Sequence, residues 1–115
     1  MELNTGMTLV FDQDYDGRET DLEGPSSTEG VSAALASCTA VTLNIYASRK
    51  GWDLTGLEVT VETAYEGPNP SLFKVRVSYP EQLAENQIER LARIAARCPV
   101  HRLIAEATPI EVLTA

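Results

Sequence analysis

Cysteine, histidine and positive charge are all scarce in this chain. Two cysteines and one histidine occur in 115 residues, with no CxxC pair and no second histidine. The usual donor sets of structural zinc sites are therefore missing. Lys and Arg number 9 against 17 Asp and Glu, for a net charge of -8. That balance argues against nucleic acid as a partner, because phosphate binding needs clustered cations. It also disfavours an anionic membrane surface.

The longest uncharged stretch lies between Glu29 and Arg49 and contains Ser32, Ser37, Thr39, Thr42, Asn44 and Ser48. It is too polar for a membrane span and reads as a buried helix. Met1 to Asp16 has no basic region followed by an apolar run, so no signal peptide is read and a cytoplasmic location is expected. A structural disulfide is rare in such a reducing compartment, and two cysteines there point to reactive thiols, a metal or plain packing. The length fits one domain, residues 1–115, with a modest core that leaves room for stabilisation by oligomerisation.

Along the chain, residues 7–12 read as a short strand and 13–24 as an acidic, glycine-bearing loop. Ser26 and Glu29 have capping-box spacing, which marks the start of a helix. Val31, Ala34, Leu35, Cys38, Val41, Thr42, Ile45 and Tyr46 follow at helical spacing, and Gly51 fits a C-terminal stop after Arg49 and Lys50. A helix over 27–50 would be about 36 Å long, enough for one end to reach a second subunit. Residues 57–65 and 72–79 alternate between apolar and polar and form an antiparallel hairpin joined by the turn at 66–70. The opposite charges on its outer face are placed to pair across the strands. A second helix is expected over 84–97, broken at Cys98-Pro99, then a further helical stretch at 99–107 and a closing strand at 110–113. The sum is an α+β domain: an antiparallel sheet packed on a long central helix and a second, broken helix.

Pro99 favours the first position of a helix, which puts Cys98 at the N-cap of 99–107. Free backbone N–H groups and the positive end of the helix dipole favour a thiolate there, and Arg97 and Arg102 add positive charge. A buried cysteine at a helix kink is the competing reading. Cys38, on an apolar helix face, is by itself better read as inert packing. Its nearest charged neighbour in sequence, Glu29, lies about 14 Å away along the helix. Both cysteines nevertheless sit on faces that must cover the same sheet, so they can meet. Cys38, Cys98 and His101 could supply three zinc ligands, although a partly exposed helix residue is the simpler reading of His101. Glu29 is most simply a capping carboxylate, Arg18 a solvated loop charge, and Tyr46 and Trp52 packing residues.

Several runs resemble the OsmC/Ohr family. Gly24-Pro25-Ser26-Ser27-Thr28-Glu29 followed by Ala33-Ala34-Leu35-Ala36-Ser37-Cys38-Thr39-Ala40 is similar to the family's first cysteine helix. Tyr46-Ala47-Ser48-Arg49-Lys50-Gly51 also fits, and Arg90 to Ala95 followed by Cys98-Pro99-Val100-His101-Arg102 is similar to the second cysteine motif. The resemblance spans residues 24–113, leaving 1–23 as a short N-terminal strand and loop. It implies an intertwined homodimer that reduces organic hydroperoxides without a metal or other cofactor. By motif position Cys38 would be the peroxidatic cysteine and Cys98 the resolving one, restored by a dithiol, often a lipoyl group. The family order thus gives the first attack to Cys38, whereas the helix-terminus argument favours Cys98 as the thiolate.

The chain also departs from the pattern. Ser27 replaces a proline, and Gly30 and Ser32 replace leucines. The peroxidase branch pairs a glutamate ten positions before the first cysteine with an N-terminal arginine. Here that position is Thr28, so Glu29 and Arg18 are the nearest candidates for an activating pair. A non-catalytic, redox-responsive or small-molecule-binding dimer is the alternative.

Overall fold

The computed structural model of the chain describes residues 24–114. The expected strand at 7–12 and Arg18 lie outside the described residues. Five elements follow in order: α1 (Ser27–Lys50), β1 (Glu58–Glu66), β2 (Asn69–Ser78), α2 (Glu85–Ala95) and α3 (Pro99–Ala105). The α+β architecture is as expected, with a two-stranded antiparallel sheet against three helices.

Both ends of α1 are fixed by local chemistry. The Glu29 amide donates to the Ser26 hydroxyl at 3.2 Å, and the Ser26 amide donates to the Glu29 carboxylate at 3.0 Å, a reciprocal capping box. Gly51 ends the helix in the left-handed region at φ 73°. The Gly51 amide donates to the Ser48 carbonyl at 3.2 Å, and the Trp52 amide donates to the Ala47 carbonyl at 2.8 Å. This is a Schellman closure, which glycine enters without the Cβ penalty.

Only part of the apolar set read from the spacing of α1 packs within the chain. The buried line is Leu35, Thr39, Leu43 and Ala47, whereas Val31, Val41 and Ile45 are 40%, 54% and 50% exposed. The helix is apolar on more than one side, so spacing alone cannot choose which stripe packs against the sheet. By length and a mean hydropathy of 1.3 alone, α1 could cross a bilayer. Its Leu35–Ala47 stripe is nevertheless packed within the domain.

In the hairpin, Val59, Val61 and Thr63 of β1 and Phe73, Val75 and Val77 of β2 are the half-buried positions, and their sequence neighbours are exposed. The turn is tighter than expected. Gly67 (φ 60°) and Pro68 make it, while Asn69 already pairs with Glu66. Glycine at the first central position suits the twist of a two-residue hairpin. A register shift between Ala64 and Tyr65 pairs Tyr65 with Pro70 and leaves Ser71 as the extra residue. Such a bulge accommodates a proline that cannot donate to the ladder. On the outer face the Arg76 guanidinium meets the Glu62 carboxylate at 3.0 Å, the cross-strand charge pairing anticipated from the alternation.

The expected strand at 110–113 does not form. The segment has no regular structure, and Ile110, Val112 and Leu113 are 88%, 92% and 83% exposed. An extended segment needs a neighbouring edge for its amides and carbonyls, and within the described residues nothing pairs with it.

The core lies at the C-terminal end of α1. Leu43, Ala47, Leu54, Leu83, Leu91 and Ile94 form one buried cluster, flanked by Trp52, Leu57, Tyr79 and Ile88. Tyr46 and Trp52 meet edge-on with ring centroids 5.8 Å apart, consistent with the packing role read for both.

Candidate functional site

At the other end of the core, α1 and α3 bring the two cysteines together. Cys38 is half-buried and Cys98 is buried, and both are free thiols. The two side chains are close enough for each to influence the other's ionisation. The meeting depends on the break at Pro99. Cys98 is the N-cap of α3 and Pro99 its first residue, so the chain turns there and aims the start of α3 at the flank of α1. The Cys98 sulfur accepts from the His101 amide at 3.5 Å, a capping interaction that holds the thiol in place.

Burial opposes a charge on Cys38. The nearby Cys98 thiol, Val100 amide and Thr42 hydroxyl favour the charged form and outweigh that cost, so its pKa is lowered. Cys98 is pushed the other way, first by burial and then by donating to Cys38. The His101 and Val100 amides do not offset these effects. Of the two thiols, Cys38 is therefore the one biased toward the thiolate.

This direction runs against the expectation that Cys98 would be the better thiolate. A helix terminus has unsatisfied N–H groups, but Pro99 has none to give, and the Val100 amide serves Cys38 as well. Sequence reasoning missed both Val100 and Thr42. Thr42 was detectable, since it lies four residues after Cys38 on one helix face. Val100 was not, since its amide acts across some sixty residues of chain.

Glu29 is not brought to the thiols. Its carboxylate is held in the capping box, where the Ser26 amide and then the Ser26 hydroxyl lower its pKa. It lies at the far end of an N-terminal half of α1 that is tied to the sheet. The Thr28 hydroxyl meets the Tyr65 hydroxyl at 2.9 Å, and the Ser32 hydroxyl meets that of Thr63 at 2.7 Å. The position ten before Cys38 is thus occupied by a threonine bonded to β1. His101 is partly exposed, as expected. Among the described residues no group of three His, Cys, Asp or Glu side chains is placed to hold a metal, so Cys38, Cys98 and His101 do not form the zinc triad considered above.

Two clefts border this end of the molecule. One, of about 410 Å³, is lined mainly by Leu35, Leu72, Phe73, Val75 and Ile104, with His101 at its edge. The other, of about 340 Å³, runs between the sheet and α2, past Thr39, Val77, Tyr79, Ala92 and Ala95 to the same histidine. Both are predominantly apolar.

Residues 18–113 match the sequence model of the OsmC-like protein family. A crystal structure of a putative osmotic stress induced and detoxification response protein from Psychrobacter arcticus 273-4 superposes with a TM-score of 0.71 at 20% identity, over 87% of this chain and 74% of that one. A second solved chain, from structural genomics, gives a TM-score of 0.74 at 20% identity over 92% and 79%. No curated protein matches the sequence. At that identity the solved structures establish the shared fold, and the match over nearly the whole length establishes membership: the chain belongs to the OsmC-like protein family.

Proposed function

We propose that this protein is a thiol-dependent peroxidase that reduces organic hydroperoxides through a Cys38/Cys98 cycle. The observation that carries the reading is the paired arrangement: a half-buried Cys38 on α1 beside a buried Cys98 at the N-cap of α3, with the Cys38 pKa lowered and the Cys98 pKa raised. The thiolate is the nucleophilic form of cysteine.

In this cycle the Cys38 sulfur attacks the terminal oxygen of the hydroperoxide. An S–O bond forms, the O–O bond breaks, and the alkoxide takes a proton from solvent and leaves as the alcohol. Cys38 is oxidised to a sulfenic acid. Cys98 then attacks the Cys38 sulfur. The S–S bond forms, the S–O bond breaks, and the departing hydroxide leaves as water with the Cys98 proton. A dithiol, such as a lipoyl group, returns two electrons by exchange and is itself oxidised to a disulfide. The apolar clefts beside His101 favour a substrate with a hydrocarbon tail.

The working form in this reading is a cytoplasmic homodimer. The exposed Val31, Val41 and Ile45 stripe and the uncovered Ile110, Val112 and Leu113 segment are apolar surface for a second copy to cover.

A second reading has its own support. Glu29 is engaged in a helix cap and Thr28 is bonded to Tyr65, so among the described residues no arginine–glutamate pair faces Cys38. On that basis the protein would be a redox-responsive or ligand-binding dimer whose thiols oxidise slowly and reversibly without turnover.

Steady-state consumption of tert-butyl hydroperoxide with dithiothreitol or dihydrolipoamide separates the two. The peroxidase reading expects many turnovers by the wild type, none by Cys38→Ser, and a sulfenic acid that accumulates in Cys98→Ser. Equal, slow consumption by wild type and Cys38→Ser removes it.

A further inference from the structure

The chain's net charge is unevenly distributed. Glu2, Asp12, Asp14, Asp16, Glu19, Asp21 and Glu23 all precede Gly24, whereas Arg18 is the only Lys or Arg there. Three of the eight Lys and Arg after Gly24 share one cleft. Arg90, Arg93 and Arg97 follow at i, i+3 and i+7, the first two on α2 and the third just past its end, so they fall on one side of the helix. They line a cleft of about 250 Å³ together with Tyr46 and Ile94. The Arg90 guanidinium donates to the Tyr46 hydroxyl at 3.2 Å. The Lys50 ammonium lies 5.7 Å from the centroid of the same tyrosine ring. Two cations thus touch this tyrosine, and two further arginines line the same cleft. Among the described residues, the ion pairs are Arg76–Glu62 and Arg102–Glu106, and none involves these four side chains.

We propose that this cleft binds a small polyanion: a phosphate ester or a compact polycarboxylate. Ile94, 5% exposed, is apolar, and the bound Arg90–Tyr46 pair fixes one guanidinium in place. Arginine presents a planar fork that bonds two oxygens of one phosphate or carboxylate at once. Three such forks offer more positive charge than a single carboxylate can match, which selects for a ligand carrying several negative charges. The cleft shares no residue with the two apolar clefts near the thiols, so this site stands or falls independently of peroxide chemistry.

Calorimetric titration of the full chain with inorganic pyrophosphate, and separately with citrate, at low ionic strength tests the proposal. Saturable binding is expected that weakens steeply with added sodium chloride. The Arg93→Gln/Arg97→Gln variant should lose about tenfold or more in affinity, the size expected for removing charge-assisted hydrogen bonds. Arg93→Lys/Arg97→Lys should retain part of it, and Arg76→Gln on the sheet should retain all of it. Thermal melts of each variant confirm folding. Tighter binding of pyrophosphate identifies a phosphate ester as the ligand class, and tighter binding of citrate a polycarboxylate. No binding of either, or equal affinities in wild type and Arg93→Gln/Arg97→Gln, overturns the proposal. So does binding of an oligoglutamate peptide where neither small anion binds, because it would mean a protein partner instead.

Discussion

Around Leu43 and Ala47, α1 is packed against Leu54, Leu83, Leu91 and Ile94. Around Leu35 and Thr39 the same helix borders open clefts, and its cysteine faces a second thiol. One end concentrates apolar burial and the other concentrates polar donors around a half-exposed sulfur. The contrast shows how one helix can serve stability and chemistry together. Close packing needs every neighbour in place, whereas a reactive thiol needs access, so the two requirements are met about two turns apart.

Variants that unlink the ends test this division. The largest effect expected is from Leu43→Ala, which should cost about 3 kcal/mol in denaturant unfolding while leaving the alkylation rate of Cys38 in the folded protein unchanged. Next, Cys98→Ala should slow iodoacetamide modification of Cys38 at pH 7 by about tenfold, the value of one hydrogen bond to a charged group, without a comparable loss of stability. The sign follows from the directions of the shifts. The Cys38 pKa is depressed by its donors, so its alkylation profile should lie below that of an ordinary thiol, and losing the Cys98 donor should move it up. Linkage runs the same way: the stability Cys38 draws from those donors is present above its unfolded pKa and is lost as pH falls through its folded one.

Gly51→Ala comes third, at about 1 kcal/mol of stability, because alanine resists the positive φ that closes α1. Glu29→Ala should cost somewhat less, about 0.7 kcal/mol for half a capping box, and should leave peroxide consumption unchanged. A large loss of activity there would instead make Glu29 part of the thiol chemistry. Smallest is Thr42→Val, expected to slow Cys38 alkylation by about threefold with little change in melting temperature.

The comparison also explains which parts of the fold were legible in sequence. The bounds of α1 follow from Ser26, Glu29 and Gly51, which act within a few residues. The hairpin follows from strict alternation, and the helix break from Pro99. The buried stripe of α1 did not follow, because Val41 and Ile45 are as apolar as Leu35 and Leu43, and only the position of the sheet separates them. The segment 110–113 reads as a strand because its residues suit one, yet a strand exists only where an edge receives it. At the site, the two cysteine positions were legible and their charge states were not.

The sequence by itself determined where the helices start and stop, that the hairpin has one apolar face, and that Cys38 and Cys98 both lie on helices covering it. These are short-range consequences of caps, alternation and proline geometry. Only the tertiary structure decided which cysteine is biased toward the charged form. A thiolate is stabilised by whichever donors surround it in space, and the Val100 amide and Cys98 thiol reach Cys38 only once α3 has folded against α1.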